Sequence, residues 1–124
     1  MKSISCFNAT SVEVDHVEFE DSGFDITKTW RGASGFFLYT NDSSGPLRNI
    51  TIQSIRAKNM VNPIFAGGGV PATTNRVQHV HIGLLDCTDC YYGWNAQNNG
   101  DQVVIDLIRT NNVYRSCFVY GVTG

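Results

Sequence analysis

The sequence predicts an all-β solenoid of about four stacked turns, with about three short strands in each turn. A frame of apolar residues recurs along the chain of 124 residues, and helical periodicity is sustained nowhere. The frame is clearest in the stretch NITIQSIRAKN, whose apolar positions and closing amide are Ile50, Ile52, Ile55, Ala57 and Asn59. It recurs at Val12, Val14, Val17, Phe19 and Asp21, at Val80, Ile82, Leu85, Cys87 and Asp89, and at Val103, Ile105, Ile108, Thr110 and Asn112.

Each repeat predicts two short strands joined by a bend. Alternation of apolar and polar residues indicates a strand with one buried face. The two-residue gap inside the frame, such as Gln53-Ser54, shifts the alternation once and predicts the bend. Stacking then places like residues side by side, which gives inward aliphatic columns and a corner ladder of Asn and Asp. Side chains of that ladder, Asn59 among them, should bond each other and the turn backbone.

A third strand follows the corner in each repeat. Alignment without gaps predicts an inward column of Ile26, Ile64, Trp94 and Cys117. It also predicts two outward columns, one of Phe24, Asn62, Tyr92 and Arg115 and one of Thr27, Phe65, Asn95 and Phe118. The repeats start 38, 30 and 23 residues apart, so extra residues form loops after Lys28 and Gly67. GFFLYT inside the longer loop predicts a short extra strand.

Composition limits the function classes. A formal charge of −2 and a pI near 5.8 argue against a nucleic-acid partner and against an anionic membrane surface. No apolar run approaches the roughly 18 residues of a membrane span. The start, MKSISCFNAT, lacks the apolar stretch of a secretory signal, so the protein stays inside, leaves by another route or is trimmed from a longer chain. We expect residues 1–124 to form a single domain.

The cysteines predict buried thiols rather than a metal site. Cys87 and Cys90 have CxxC spacing, and His79 and His81 lie nearby in sequence. Cys87, however, shares a column with core residues of the other repeats, which is typical of a small buried side chain. We therefore expect no metal and no cofactor.

The frame NITIQSIRAKN, with its stacked Asn and Asp and a repeat near 23 residues, resembles the right-handed parallel β-helix of the pectate-lyase-like superfamily over residues 8–120. That group includes polysaccharide lyases, glycoside hydrolases, epimerases and phage tailspikes. The resemblance implies a carbohydrate-associated, tailspike-like module that is extracellular or virion-associated. It implies as partners a polysaccharide and either a homo-oligomer, with a trimer favoured, or flanking β-helix turns. The alternatives are a polysaccharide lyase, hydrolase or epimerase, and a purely structural element.

Two carboxylates are the candidate catalytic pair of the enzyme alternative. Glu18 and Asp86 fall in one outward column, two repeats and roughly 9–10 Å apart, at the edge of the range for an inverting glycosidase. Arg56 would stand between them, and an adjacent cation stabilises a charged carboxylate, whereas a general acid must be protonated. A surface ion-pair ladder is the alternative interpretation. The histidines share no column, and no serine or cysteine nucleophile is expected beside them.

The stretch CYYGWNAQNNG has the composition of a sugar site, because aromatic faces stand beside amides. The register directs Trp94 inward and Tyr92 outward, next to Arg115. We therefore predict Tyr92 and Arg115 as substrate-binding residues, joined by Trp30 and Tyr39 from the long loop.

Overall fold

The protein is all-β over the residues that the computed structural model describes, which are 4–6, 8–21, 34–40, 46–67, 77–97 and 100–120. Its seven strands are β1 (Ile4–Cys6), β2 (Val12–Glu20), β3 (Ser34–Tyr39), β4 (Leu47–Lys58), β5 (Asn62–Gly67), β6 (Val77–Gln97) and β7 (Gly100–Tyr120). They form one sheet in which every described pair is parallel. In this part of the chain no helix is long and apolar enough to cross a membrane.

The four copies of the frame lie side by side in the predicted register. Strand β2 pairs with β4, β4 with the first half of β6, and β6 with β7. Ile52 pairs with Val14 on one side and with Ile82 on the other. Ile82 in turn pairs with Ile105. The apolar frame therefore forms columns, each made of residues that pair in register across neighbouring strands.

The third strand of the first repeat lies later in the chain than the ungapped alignment predicts. Phe36, not Ile26, pairs with Ile64, and Ile64 pairs with Trp94. GFFLYT is thus a strand, as predicted, but it is a regular member of the sheet between β1 and β5 rather than an extra one. The same shift replaces the predicted Phe24 by Ser34 beside Asn62, and Thr27 by Phe37 beside Phe65. Ile26, Phe24 and Thr27 themselves lie outside the described residues.

The core sits between the frame strands and the third strands. Ile52, Ile82 and Ile64 have no solvent exposure, and Trp94 is buried, which confirms its inward prediction. The rings of Phe19 and Phe36 meet edge to face, with centroids 5.4 Å apart, and so join the two groups of strands. Asn95 is also buried, against the prediction of an outward column. Its amide donates to Asn62 Oδ1 over 2.7 Å, which satisfies the buried polar group.

The core columns open to solvent at the first and last frame strands. Val14 in β2 and Ile105 in β7 are half-buried, whereas their partners in β4 and β6 are fully buried. Each packs against the core from one side. This difference follows from the sheet order, because β2 and β7 each have one paired neighbour among the described strands.

Residues with left-handed backbone mark the corners. Asn59, Asp89 and Asn112 have φ of 55°, 53° and 53°, a conformation that Asn and Asp tolerate better than other non-glycine residues. At Asp89, β6 changes its neighbour from β4 to β5. Asn112 Nδ2 donates to Asp89 Oδ1 over 2.7 Å, so the predicted ladder is present between these two repeats.

A second corner precedes the frame. Asn49, His79 and Gln102 have φ of 57°, 54° and 53°. Asn49 Nδ2 donates to the Thr10 carbonyl oxygen over 3.1 Å and so ties this corner to the neighbouring repeat. In each of the three later repeats, two left-handed positions therefore flank the frame, one on each side.

The bend within the frame requires a glycine at one position. Pairing passes from Ile52–Ile82 to Ser54–Leu84, with Gln53 and Gly83 at the bend between them. A Cβ atom on Gly83 would lie 2.5 Å from the Gln53 carbonyl oxygen, closer than real Cβ contacts. The two backbones are therefore in close contact at the predicted two-residue gap.

The first prediction concerns the inward columns. Ile52→Ala or Ile82→Ala should lower the free energy of unfolding by about 2–5 kcal/mol, because each removes a fully buried side chain and leaves a cavity. Thr51→Ala, on the half-exposed side of the same strand, is the matched control and should change it by less than about 0.5 kcal/mol. Denaturant unfolding measures all three. Equal losses at Ile52 and Thr51 would show that the inward and outward assignments are wrong.

The second prediction concerns the corner at Asn59. Asn59→Leu should destabilise the fold by about 1–2 kcal/mol, because the left-handed backbone conformation is higher in energy for leucine than for asparagine. Asn59→Gly is the control and should be close to neutral, since glycine adopts this conformation without strain. Thermal unfolding compares the two variants. A leucine variant as stable as the glycine variant would contradict the strained corner.

Candidate functional site

Three tyrosines and an arginine cluster on the strand segments that follow the corner of Asp89 and Asn112. We call this cluster the tyrosine patch, and its members are Tyr91, Tyr92, Tyr114 and Arg115. Tyr92 pairs in register with Arg115 across β6 and β7. Tyr91 and Tyr114 each precede one member of that pair, so the parallel register brings all four residues together.

Ring contacts organise the patch. The centroid of Tyr91 lies 4.8 Å from that of Tyr92, with the rings at 75°, and 4.8 Å from that of Tyr114, with the rings at 32°. The guanidinium carbon of Arg115 lies 5.5 Å from the Tyr114 centroid, within cation–π range. Tyr114 is 62% exposed. The exposed ring of Tyr114 therefore packs against the ring of Tyr91 and the guanidinium of Arg115.

Backbone bonds hold the patch on the sheet. The amide nitrogens of Tyr91 and Tyr92 donate to the carbonyl oxygens of Met60 and Val61 over 2.8 and 2.9 Å. Burial, followed by the nearby Tyr91, raises the pKa of Tyr92. Its phenol therefore stays neutral at physiological pH and keeps its O–H as a hydrogen-bond donor.

The structure brings together two of the four predicted binding residues. Tyr92 and Arg115 share the patch, as their column indicated. Tyr39 is a half-buried residue of β3 that pairs with Gly67, rather than a loop residue. It lies five positions along β3 from Ser34, the partner of Asn62, or about 17 Å at the rise of a strand. Trp30 lies outside the described residues.

Sequence reasoning missed Tyr91 and Tyr114. The signal was present, because Tyr91 and Tyr114 fall in the same column, one position before Tyr92 and Arg115. The prediction considers only the column of Tyr92 and Arg115 as a binding column. Next to the corner, however, Tyr91 and Tyr92 are both half-exposed, so alternation does not separate an inward from an outward residue there.

The outward column of alternating charge is formed as predicted. Arg56 Nη1 lies 3.5 Å from Glu18 Oε1, and Arg56 Nε lies 3.7 Å from Asp86 Oδ2. Glu18 and Arg56 also line a shallow depression of about 210 Å³. The arginine therefore bridges the two carboxylates. Catalysis by Glu18 and Asp86 stays a prediction.

His16 does have a serine beside it, and the expectation that no nucleophile accompanies the histidines is wrong at this residue. Ser54 pairs with His16 in register, and its Oγ lies 2.5 Å from His16 Nδ1. The other ring nitrogen, Nε2, lies 3.2 Å from Glu18 Oε1. The signal for this contact was in the sequence, because His16 and Ser54 occupy the same place in the two-residue gap of successive repeats.

The CxxC pair is buried, as predicted. Cys87 and Cys90 have no solvent exposure, and Cys90 Sγ lies 3.3 Å from the Thr88 carbonyl oxygen. A hydrogen bond with Cys90, and then burial, raise the pKa of the Cys87 thiol, so Cys87 stays protonated. Cys6 is half-buried, whereas Cys117 is exposed, so the prediction of a buried, inward thiol is wrong at Cys117 although it pairs in register with Trp94. Among the described residues, no group of three or more His, Cys, Asp and Glu side chains is placed to hold a metal ion.

No protein-family model, no curated protein and no solved structure matches the chain.

Proposed function

We propose that this chain is a right-handed parallel β-helix of the pectate-lyase-like kind and that it binds polysaccharide through the tyrosine patch. The observation that carries the functional part is the exposed ring of Tyr114, which contacts Tyr91 and Arg115 on two hydrogen-bonded strands. The proposal gives the protein a binding role and places its ligand on the outer surface of the third strands.

The register supports the β-helix. Parallel strands need a crossover between them, and here the chain returns to the same register after each repeat. Strand β6 borders β4 before Asp89 and β5 after it, as a chain that turns a corner would. About four turns of three short strands, with left-handed residues at the corners, account for this pairing.

The chemistry of the patch suits a sugar. A tyrosine has an apolar face and a polar tip, and it contributes contact area at low conformational cost. A pyranose ring offers matching C–H groups to the exposed ring of Tyr114. The Arg115 guanidinium adds donors for hydroxyl or carboxylate oxygens. This set favours a polysaccharide that contains acidic sugars, for which a tailspike-like, extracellular or virion-associated setting is proposed.

The half-exposed core of β2 and β7 supports a proposal about partners. Ile105 and Val14 belong to columns that are fully buried elsewhere. Uncovered strand edges with apolar cross-section associate readily. Further β-helix turns or other copies of the chain, in a trimer for example, would cover them.

The third prediction tests the patch. Tyr114→Ala should raise the Kd for a bound acidic polysaccharide by on the order of tenfold, because it removes the exposed ring. Tyr114→Phe is the matched control, and it should retain most of the affinity because the ring remains. Glycan-array screening identifies the ligand, and titration calorimetry measures the variants.

Two results would contradict the proposal. One is the absence of any bound glycan from a folded protein. The other is a glycan whose affinity is the same for the wild type and Tyr114→Ala, which would place its site elsewhere.

The fourth prediction concerns association. Light scattering of the isolated chain should give a molar mass above that of one chain, because the edges of β2 and β7 pair with further strands. Ile105→Lys should reduce the measured mass, since it places a charge on the open side of β7. A monodisperse monomer at high concentration would contradict the proposed partners.

A further inference from the structure

We infer that Ser54, His16 and Glu18 form a nucleophilic site that hydrolyses small carboxylic esters. The inference goes beyond polysaccharide binding and does not depend on it. Ser54 Oγ lies 2.5 Å from His16 Nδ1, and His16 Nε2 lies 3.2 Å from Glu18 Oε1. A nucleophile, a base and a group that orients the base are thus in hydrogen-bond sequence, as nucleophilic catalysis requires.

The sheet places the three residues. His16 and Glu18 are two positions apart on β2, so their side chains leave the same face of that strand. Ser54 is the in-register partner of His16 on β4. All three positions belong to regular paired strands, which fix a constellation more firmly than loops do.

Hydrogen-bond chemistry fixes the direction of the array. A charged carboxylate is only an acceptor, so the contact with Glu18 requires a proton on His16 Nε2. In the neutral ring Nδ1 then carries the lone pair and accepts from the Ser54 hydroxyl. The tautomer selected by Glu18 is therefore the one in which His16 can take the Ser54 proton.

Arg56 keeps Glu18 in place as an acceptor. Its Nη1 lies 3.5 Å from the same Oε1 atom that faces His16, and its Nε lies 3.7 Å from Asp86 Oδ2. The guanidinium presents donors to both carboxylates and so restrains the Glu18 side chain. Glu18 acts through His16 and is a positioning residue.

An apolar surface of two leucines, which we call the apolar ledge, lies beside the nucleophile. Ser54 pairs with Leu84, and Leu84 pairs with Leu107, so two leucines continue its column. Leu107 occupies an outward position, and this large apolar side chain is 46% exposed. Leu84 is one strand spacing from Ser54, about 4.8 Å. The ledge suits the short acyl or alkyl part of an ester.

The exposure of the site limits its substrates. The side chains of His16 and Glu18 are 45% and 62% exposed, so the site accepts small esters or ester groups that project from a larger molecule. Solvent access also weakens electrostatic stabilisation of the oxyanion. We therefore expect slow turnover.

The reaction balances with water alone. Ser54 Oγ attacks the carbonyl carbon while its proton passes to His16 Nδ1, and the tetrahedral intermediate expels the alcohol oxygen, which takes that proton. Water then attacks the acyl group on Ser54 and gives a proton to Nδ1. Release of the carboxylic acid returns this proton to Ser54 Oγ. One ester and one water become one acid and one alcohol.

The test is covalent labelling of the full chain with a fluorophosphonate, which transfers its phosphonyl group to an activated serine and releases fluoride. Peptide mass mapping should place the label on Ser54 in the wild type. His16→Ala should slow labelling by on the order of 100-fold, the usual contribution of a general base. Glu18→Gln should also slow it, without lowering the melting temperature.

Ser116 supplies the control, because it is an exposed serine whose described hydrogen bond is to Thr110. It should remain unlabelled, and Ser116→Ala should label at the wild-type rate. Hydrolysis of p-nitrophenyl acetate should fall to the uncatalysed rate in Ser54→Ala, while glycan binding by that variant stays unchanged. Circular dichroism confirms the folding of each variant.

Absence of label on Ser54 in the folded wild type would overturn the inference. So would labelling at a rate that His16→Ala leaves unchanged. In either case the three residues are a surface hydrogen-bond array only, and the proposal for the tyrosine patch is unaffected.

Discussion

Parallel pairing in one register is the constraint on which the rest of this structure depends. Ile52 is fully buried because Val14 and Ile82 stand on either side of it in neighbouring strands. A slip of one residue would turn every aliphatic side chain of a strand toward solvent. The close approach of Gly83 to the Gln53 backbone blocks slippage at the bend. The left-handed residues at the corners fix where each strand segment starts and ends. Burial, backbone geometry and hydrogen bonding therefore all select the same register.

The same register assembles the functional groups on the outside. A parallel stack places residues from distant parts of the chain side by side, so one side chain in each repeat is enough to build a cluster. Tyr91 meets Tyr114 in this way, and His16 meets Ser54 although the two are 38 residues apart. Arg56 contacts carboxylates from the repeats on both sides. The two proposed sites lie on different segments of the repeat and use different chemistry, so a change in one leaves the other intact.

The sequence predicts the frame strands well, because their spacing is the same in all four repeats. It fails at the third strand of the first repeat. Alternation at Phe24 and Ile26 looks as strand-like as alternation at Phe36 and Leu38, and an alignment without gaps takes the earlier pair. Only pairing with β5, a contact across the sheet, selects Phe36.

Two of the four residues of the tyrosine patch were predictable from the sequence. The column places Tyr92 beside Arg115, but ring contacts such as that between Tyr91 and Tyr114 depend on side-chain packing near a corner. The contact of His16 with Ser54 follows from the column itself and was accessible from the sequence.

Methyl NMR tests the register most directly. In a sample with labelled isoleucine, leucine and valine methyl groups, each isoleucine of the column should show strong nuclear Overhauser contacts to its immediate neighbours only. Ile82 should contact Ile52 and Ile105, whereas Ile52 and Ile105, two strand spacings or about 9–10 Å apart, should show no strong contact. Contacts between Ile52 and Ile105 that are stronger than those of either residue with Ile82 would contradict the parallel stack, and with it both proposed sites.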